Sequence, residues 1–143
     1  MTAVDTNILV YAHRRDSAFH ARATDCVRQL AEGSGPWCIP WPSVHEFMAT
    51  VTSTRVFKQP TPVAEAWTQV ERWLASPMLR LLAEEEGYAQ VLGRLLAASR
   101  VAGPKIHDAR IAALAIFHGA SELLTADRDF SRFTELTVRN PLR

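Results

Sequence analysis

The sequence is short of several residue types and patterns, and each shortage excludes a class. Only two of the 143 residues are cysteines, Cys26 and Cys38, and neither belongs to a CxxC pair. A disulfide framework and a thiolate zinc site are both disfavoured, and two reduced, buried thiols are expected instead. The five histidines (His13, His20, His45, His107, His118) form no HExxH and show no ligand spacing with cysteine, so a zinc site is not expected. The longest apolar run, Ile111 to Phe117, is seven residues, far below the ~20 needed to span a bilayer. The start has no basic stretch, and Ile8 to Ala12 is too short for a secretory core, which points to a cytoplasmic protein without a membrane segment. Lysine is nearly missing: the sixteen basic residues are all arginine except Lys58 and Lys105. Arginine forks suit phosphate, although a GC-rich genome produces the same bias. Charge of one sign is also missing, since sixteen bases against fifteen acids leave +1. Aspartate is absent between positions 26 and 107.

What is present reads as one globular domain over residues 1–143, with hydrophobic residues at 48% and charged residues at 22%. Short apolar strand candidates alternate with helical patterns, the mark of an α/β fold with a parallel sheet. A first strand ends at Asp5, and Thr6 or Asn7 caps a helix over Ile8 to His13. Ser17 caps a second helix, Phe19 to Glu32, stopped by Gly33. Trp37 to Ile39 reads as a buried strand, Ser43 to Thr52 as a helix, and Ser53 to Pro62 as a loop. Pro62 then opens a helix to Ala75. Met78 to Leu82 is a strand, Glu84 to Arg100 a helix, and His107 to His118 a helix apolar almost all round, which must pack against the sheet. The last strands are expected at Glu122 to Thr125 and Leu136 to Val138.

On this map Asp5 and Asp127 follow the carboxyl ends of two strands, while Glu46 and Asp108 fall in the first turns of two helices. In open parallel sheets those positions meet along one edge, where ligands bind. Four carboxylates gathered there repel one another unless a cation neutralises them. A hard divalent ion such as Mg²⁺ or Mn²⁺ suits oxygen ligands and keeps waters for chemistry. It lowers the pKa of a bound water and stabilises charge on phosphoryl oxygen, so the implied reaction is phosphodiester hydrolysis. Each acid also has a plainer reading. Glu46 stands three residues after Ser43, the spacing of a capping box. Asp108 gains from a helix dipole, Asp5 can serve as a turn or cap residue, and Asp127 and Asp129 can shape a turn.

Asp5-Thr6-Asn7-Ile8-Leu9-Val10-Tyr11-Ala12, Ser43-Val44-His45-Glu46-Phe47, the run from His107 through Ala115, and Thr125-Ala126-Asp127-Arg128-Asp129-Phe130 closely resemble, in order, the motifs of the PIN-domain family, specifically its VapC toxins. The resemblance spans the whole chain. It implies a three-layer α/β/α sandwich around a parallel sheet, Mg²⁺- or Mn²⁺-dependent endoribonuclease activity, dimerisation, and neutralisation by a VapB antitoxin in a hetero-oligomer. It places Asp5, Glu46, Asp108 and Asp127 as the acidic quartet. Asp5, Asp108 and Asp127 would hold metal, with Glu46 binding directly or orienting water. Asn7 and Thr125 match supporting polar residues. Asp129 competes with Asp127 for the metal; Asp127 is preferred because it is nearer the strand end. Water attack in line would leave 3′-hydroxyl and 5′-phosphate ends. A catalytically silent module that only binds RNA or antitoxin is the alternative, and it sits less well with four filled acid positions. A signalling receiver domain would need a phosphoacceptor aspartate on a middle strand, which the gap denies it.

RNA requires a positive rim. Candidates are His13, Arg14, Arg15, Lys105, Arg110 and Arg128, each of which also reads as an ordinary solvated residue; Arg110 can alternatively be buried against carboxylates. Setting the quartet aside leaves eleven acids (fifteen less four) against sixteen bases, a basic remainder around an acidic site. Trp67 and Trp73 follow helical spacing with Val63, Ala66, Val70 and Leu74, a stripe for the core, a second subunit or an antitoxin helix.

Overall fold

A computed structural model describes all residues, Met1–Arg143. The elements in order are β1 (Thr2–Val4), α1 (Thr6–His13), α2 (His20–Glu32), β2 (Trp37–Pro40), α3 (Trp41–Val51), α4 (Val63–Leu74), β3 (Leu79–Leu82), α5 (Tyr88–Ser99), α6 (Lys105–Phe117), β4 (Glu122–Leu124) and β5 (Val138–Arg139). A short 3₁₀ turn covers Arg128–Arg132. The five strands pair in the order β3-β2-β1-β4-β5, every pair parallel. No helix is long and apolar enough to cross a membrane.

Strand side chains alternate between the two faces, so the sheet divides the core in two. Ala3, Cys38, Leu82 and Leu123 pack with Leu95 of α5 and with Ala109 and Ile111–Ala115 of α6. Val4, Trp37 and Ile39 pack on the opposite side with residues of α1, α2, α3 and α4, among them Leu9, Val27, Phe47 and Trp73. This is the three-layer α/β/α sandwich expected from the motifs. The all-apolar helix α6 is sandwiched as its composition requires, and its alanines bring it close to the sheet. Burial pushes the Cys38 thiol up to about 12, and neither cysteine is bridged.

Several boundaries differ from the sequence reading. Helix α3 starts at Trp41, straight after β2, with Pro42 in a first turn that tolerates a missing N–H. Ser43 is therefore inside the helix and caps nothing. Helix α1 begins at Thr6, so neither Thr6 nor Asn7 is its cap. Helix α6 begins at Lys105, two residues before the expected His107. Helix α5 starts only at Tyr88, because Gly87 takes φ 95° just before it. A Cβ at Gly87 would also stand 3.2 Å from the Phe117 ring, so that turn needs glycine. The last strand lies at Val138–Arg139, since Leu136 turns into the core and donates its N–H to Phe133. The Trp67–Trp73 stripe splits: Ala66, Val70 and Trp73 face inward, while Val63, Trp67 and Leu74 are exposed.

Candidate active site

The strand order reverses at β1, whose chain neighbour β2 lies on one side and β4 on the other. Ligands of open parallel sheets bind at the carboxyl ends of strands beside such a reversal. Asp5 and Thr125 are the first residues beyond β1 and β4, in register through Val4 and Leu124. The Asp5 N–H donates to the Leu124 carbonyl at 3.0 Å, extending the ladder by one bond into the site.

The polar contacts here converge on one hydroxyl. Thr125 Oγ1 donates to Asp5 Oδ2 at 2.7 Å and accepts the Asp127 N–H at 3.0 Å and Asn7 Nδ2 at 3.3 Å. Asn7 Oδ1 in turn accepts the Ala126 N–H at 3.2 Å. Asn7 and Thr125 thus tie the start of α1 to the loop after β4.

Asp5 is 4% exposed and forms no capping bond to α1. Burial raises its pKa to about 7; the Thr125 hydroxyl and nearby Thr6 amide oppose that shift, while Glu46 and Asp108 add repulsion. Asp108 is also raised, first by burial; Lys105 opposes this, and Asp127 reinforces it. Glu46 is no capping-box partner: its Oε2 accepts from Thr6 Oγ1 at 2.8 Å, across 40 residues of chain. The Ser43 hydroxyl that would have completed the box is buried without a partner.

Asp5, Glu46, Asp108 and Asp127 all line one cavity of about 380 Å³, whose other walls include Tyr11, Val56, Phe57 and Phe130. Four elements or loops distant in sequence supply one acid each. Asp129 does not line it; its carboxylate pairs with Lys105, which also reaches Asp108 at 3.6 Å. The Asp127 Oδ1 accepts the Asp129 N–H at 2.9 Å, so the plain turn-forming reading of Asp127 also holds. No three carboxylate, imidazole or thiol groups close tightly enough to clasp an ion by themselves. The donor set still fits Mg²⁺, which keeps several waters and needs only one or two direct carboxylates. Burial raises Asp5 first and repulsion from Glu46 and Asp108 adds a smaller part, and a divalent cation would offset both.

The rim candidates separate by partner. His13 is half-buried, bonded to Gln69 at 3.3 Å and Thr61 at 3.1 Å, and burial lowers its pKa. Arg14 bonds Asp16 at 2.7 Å and the Gln59 carbonyl at 2.9 Å, with its guanidinium 4.0 Å above the Phe57 ring. Both residues hold the 53–62 loop that supplies Val56 and Phe57. Arg110 pairs with Glu84 rather than turning in toward Asp108. Arg15 and Arg128 are exposed and free of ion pairs. The cavity also uses Thr6 and Tyr11, which lie inside the Asp5–Ala12 motif without a site role assigned to them, and Phe57 from the 53–62 loop.

The PIN domain family model matches residues 2–136. Ribonuclease VapC43 of Mycobacterium tuberculosis is 37% identical over 142 residues, covering 99% of this chain and 96% of that protein. Ribonuclease VapC37 of the same organism is 32% identical, covering 93% and 92%. Among solved structures, VapBC2 from Rickettsia felis bound to a DNA fragment from its promoter superposes with a TM-score of 0.72 at 20% identity, covering 97% of each chain. VapC20 of M. tuberculosis, described as a sarcin-ricin loop cleaving toxin, gives 0.67 at 18% identity, covering 92% and 93%. At those identities the structural likenesses speak for the fold.

Proposed function

This chain belongs to the PIN-domain family, among its VapC ribonucleases, and from that premise we propose that the carboxylate-lined cavity is the centre of a metal-dependent endoribonuclease acting as the toxin of a VapBC pair. The observation that carries the reading is the meeting of Asp5, Glu46, Asp108 and Asp127 around one cavity at the reversal point of the sheet. Four unrelated cap or turn acids have no physical reason to share a cavity, because their mutual repulsion costs stability.

Asp5, Asp108 and Asp127 are the residues that would hold Mg²⁺, or Mn²⁺ in its place. When bound, such an ion makes water more acidic and neutralises charge on the phosphoryl oxygens. The protein's own part is positional. Thr125 fixes the Asp5 carboxylate and, through Asn7, the entry to α1. Thr6 holds one oxygen of Glu46, leaving the other to orient the attacking water or accept its proton. Attack by water, not by the RNA 2′-hydroxyl, leaves a 3′-hydroxyl and a 5′-phosphate. The partner is a VapB-type antitoxin, which restrains the activity.

The chain should be expressed alone and RNA ends mapped against an Asp5→Asn control, with and without chelator in the purified reaction. New 5′-phosphate ends that require Asp5 and a divalent ion are expected. Cyclic phosphate ends, or cleavage indifferent to chelator, would refute the mechanism; no new ends would favour the silent binding module.

A further inference from the structure

Two hollows meet at Asp127. One is the carboxylate cavity; the other, about 360 Å³, is lined by Arg128, Ser131, Asn140 and Arg143 and contains no acid except Asp127 itself. Arg143 also borders a third hollow, about 470 Å³, between α2 and the β4–β5 edge, to which Arg22 and Arg139 contribute. Shared walls therefore join the acidic site to a course running over the β4–β5 edge toward α2.

The charge along this course is unbalanced. Arg139 pairs with Glu122, and Asp25 of α2, which also lines the third hollow, is taken by Arg28. Arg128, Arg143 and Arg22 have no carboxylate partner; Arg22 bonds only the Leu142 carbonyl, at 2.7 Å. Asn140 Oδ1 accepts the Leu142 N–H at 2.9 Å, leaving its NH₂ as a donor on the same wall. Of the other cations near the site, Lys105 is spent on Asp129 and Asp108, Arg110 on Glu84 and Arg14 on Asp16, while Arg55 and Lys58 stay unpaired on the loop that supplies Val56 and Phe57. The hollow beside Arg15 contains Asp16 and Glu65 and shares no residue with the carboxylate cavity.

An acidic pit repels the phosphates it must approach, so flanking phosphates need cations placed next to it on the strand's path. Guanidinium groups free of carboxylates, with a neutral amide donor between them, provide that. We propose that the strand flanking the scissile bond lies along this course, its phosphates on Arg128, Arg143 and Arg22, as single-stranded RNA crossing the β4–β5 edge. The proposal rests on the ribonuclease reading for its substrate.

Binding separates the two. Fluorescence anisotropy of the full chain with a fluorescein-labelled single-stranded RNA, in chelator so that nothing is cut, should be followed across a salt series. For the Arg128→Gln/Arg143→Gln protein, affinity should fall by about tenfold or more. The slope of log affinity against log salt should flatten by about 1.4, from about 0.7 per phosphate contact on a single strand. Arg128→Lys/Arg143→Lys should recover the slope, and Arg80→Gln/Arg100→Gln, on the opposite sheet edge at β3 and at the end of α5, should leave both quantities unchanged. Equal affinity and slope in the Gln protein, or an equal loss in the 80/100 control, overturns the proposal. So does retained RNA binding with lost association to an acidic partner protein. Failure of the nuclease reading would appear elsewhere, as wild-type protein that binds this RNA and does not cut it with Mg²⁺ or Mn²⁺.

Discussion

Thr125 Oγ1 donates to Asp5 Oδ2 at 2.7 Å, joining the ends of two neighbouring strands that lie 120 residues apart in the chain. The same oxygen accepts from Asn7 and from the Asp127 N–H, so one hydroxyl positions three of the residues that face the site.

Thr125→Val removes the donor from a carboxyl group with almost no access to water. An unsatisfied buried group of this kind costs about 1–3 kcal/mol. With its opposing hydrogen bond gone, Asp5 should titrate higher still, and the acidic limb of the kcat/KM profile should move to higher pH. Thr125→Ser keeps the hydroxyl and should keep the wild-type limb. Identical profiles for the Val and Ser proteins would deny Thr125 this positioning role.

Asp5 makes the metal-free protein sensitive to pH. Its folded pKa, about 7, lies above the ordinary 3.8. The unfolded chain therefore loses this proton first, and the contribution to stability present below about pH 4 is lost as pH rises toward 7. The shift corresponds to something on the order of 4 kcal/mol. His13 acts oppositely, because its lowered pKa makes stability rise as pH approaches its ordinary 6.5. Comparing chemical denaturation of wild type with Asp5→Asn cancels the His13 contribution. The Asn protein should gain on wild type between pH 4 and 7, and Mg²⁺ should narrow the gap at the upper end. A pH-independent difference would contradict the assignment.

Ser43→Ala tests what Glu46 is for. A capping box would make the serine worth about 1 kcal/mol. Here the Ser43 hydroxyl is buried without a partner and Glu46 is held by Thr6. Thermal unfolding should show no loss, or a small gain, for Ser43→Ala. Thr6→Val should lower cleavage while Ser43→Ala does not.

Arg14 straps the 53–62 loop against the start of the chain through Asp16, Gln59 and the Phe57 ring. Asp16 is 59% exposed, so that ion pair adds little by itself. The backbone bond and ring contact carry most of the effect. Arg14→Ala should speed proteolytic nicking within residues 53–62 by several-fold and weaken substrate binding. Arg14→Lys should not rescue it, because an ammonium cannot span the same fork while lying flat on Phe57. Unchanged nicking would show that the loop is held by other contacts.

Strand ends and helix starts are local properties, and the acids could be located from them. Asp5 follows a short apolar strand, Asp108 opens an apolar helix, and Asp127 follows the apolar Leu123-Leu124 pair. For Glu46 two readings stayed open, a place in the acidic quartet and a capping box, because serine at the right spacing imitates a cap. Only the earlier start of α3, after Pro40 and around Pro42, puts Ser43 inside the helix. The rim was equally illegible. Whether an arginine is free depends on acids far away in sequence, as with Arg110 and Glu84, or on a loop as distant as Gln59 is from Arg14.

The order of elements, the parallel sheet and the choice of Asp5, Glu46, Asp108 and Asp127 as candidate acids came from the amino-acid sequence, through apolar periodicity and motifs that act over a few residues. Which acids share a cavity was decided only by tertiary structure: Asp127 lines it, while Asp129 is drawn away by Lys105. Tertiary structure also decided which cations stay unpaired beside it. The reason is physical. Side-chain periodicity follows from local backbone geometry, but Coulomb interactions and hydrogen bonds depend on distances set only when residues 24 to 120 positions apart meet. The near-neutral charge of the chain thus resolves into an acidic cavity and an open line of arginines at its edge.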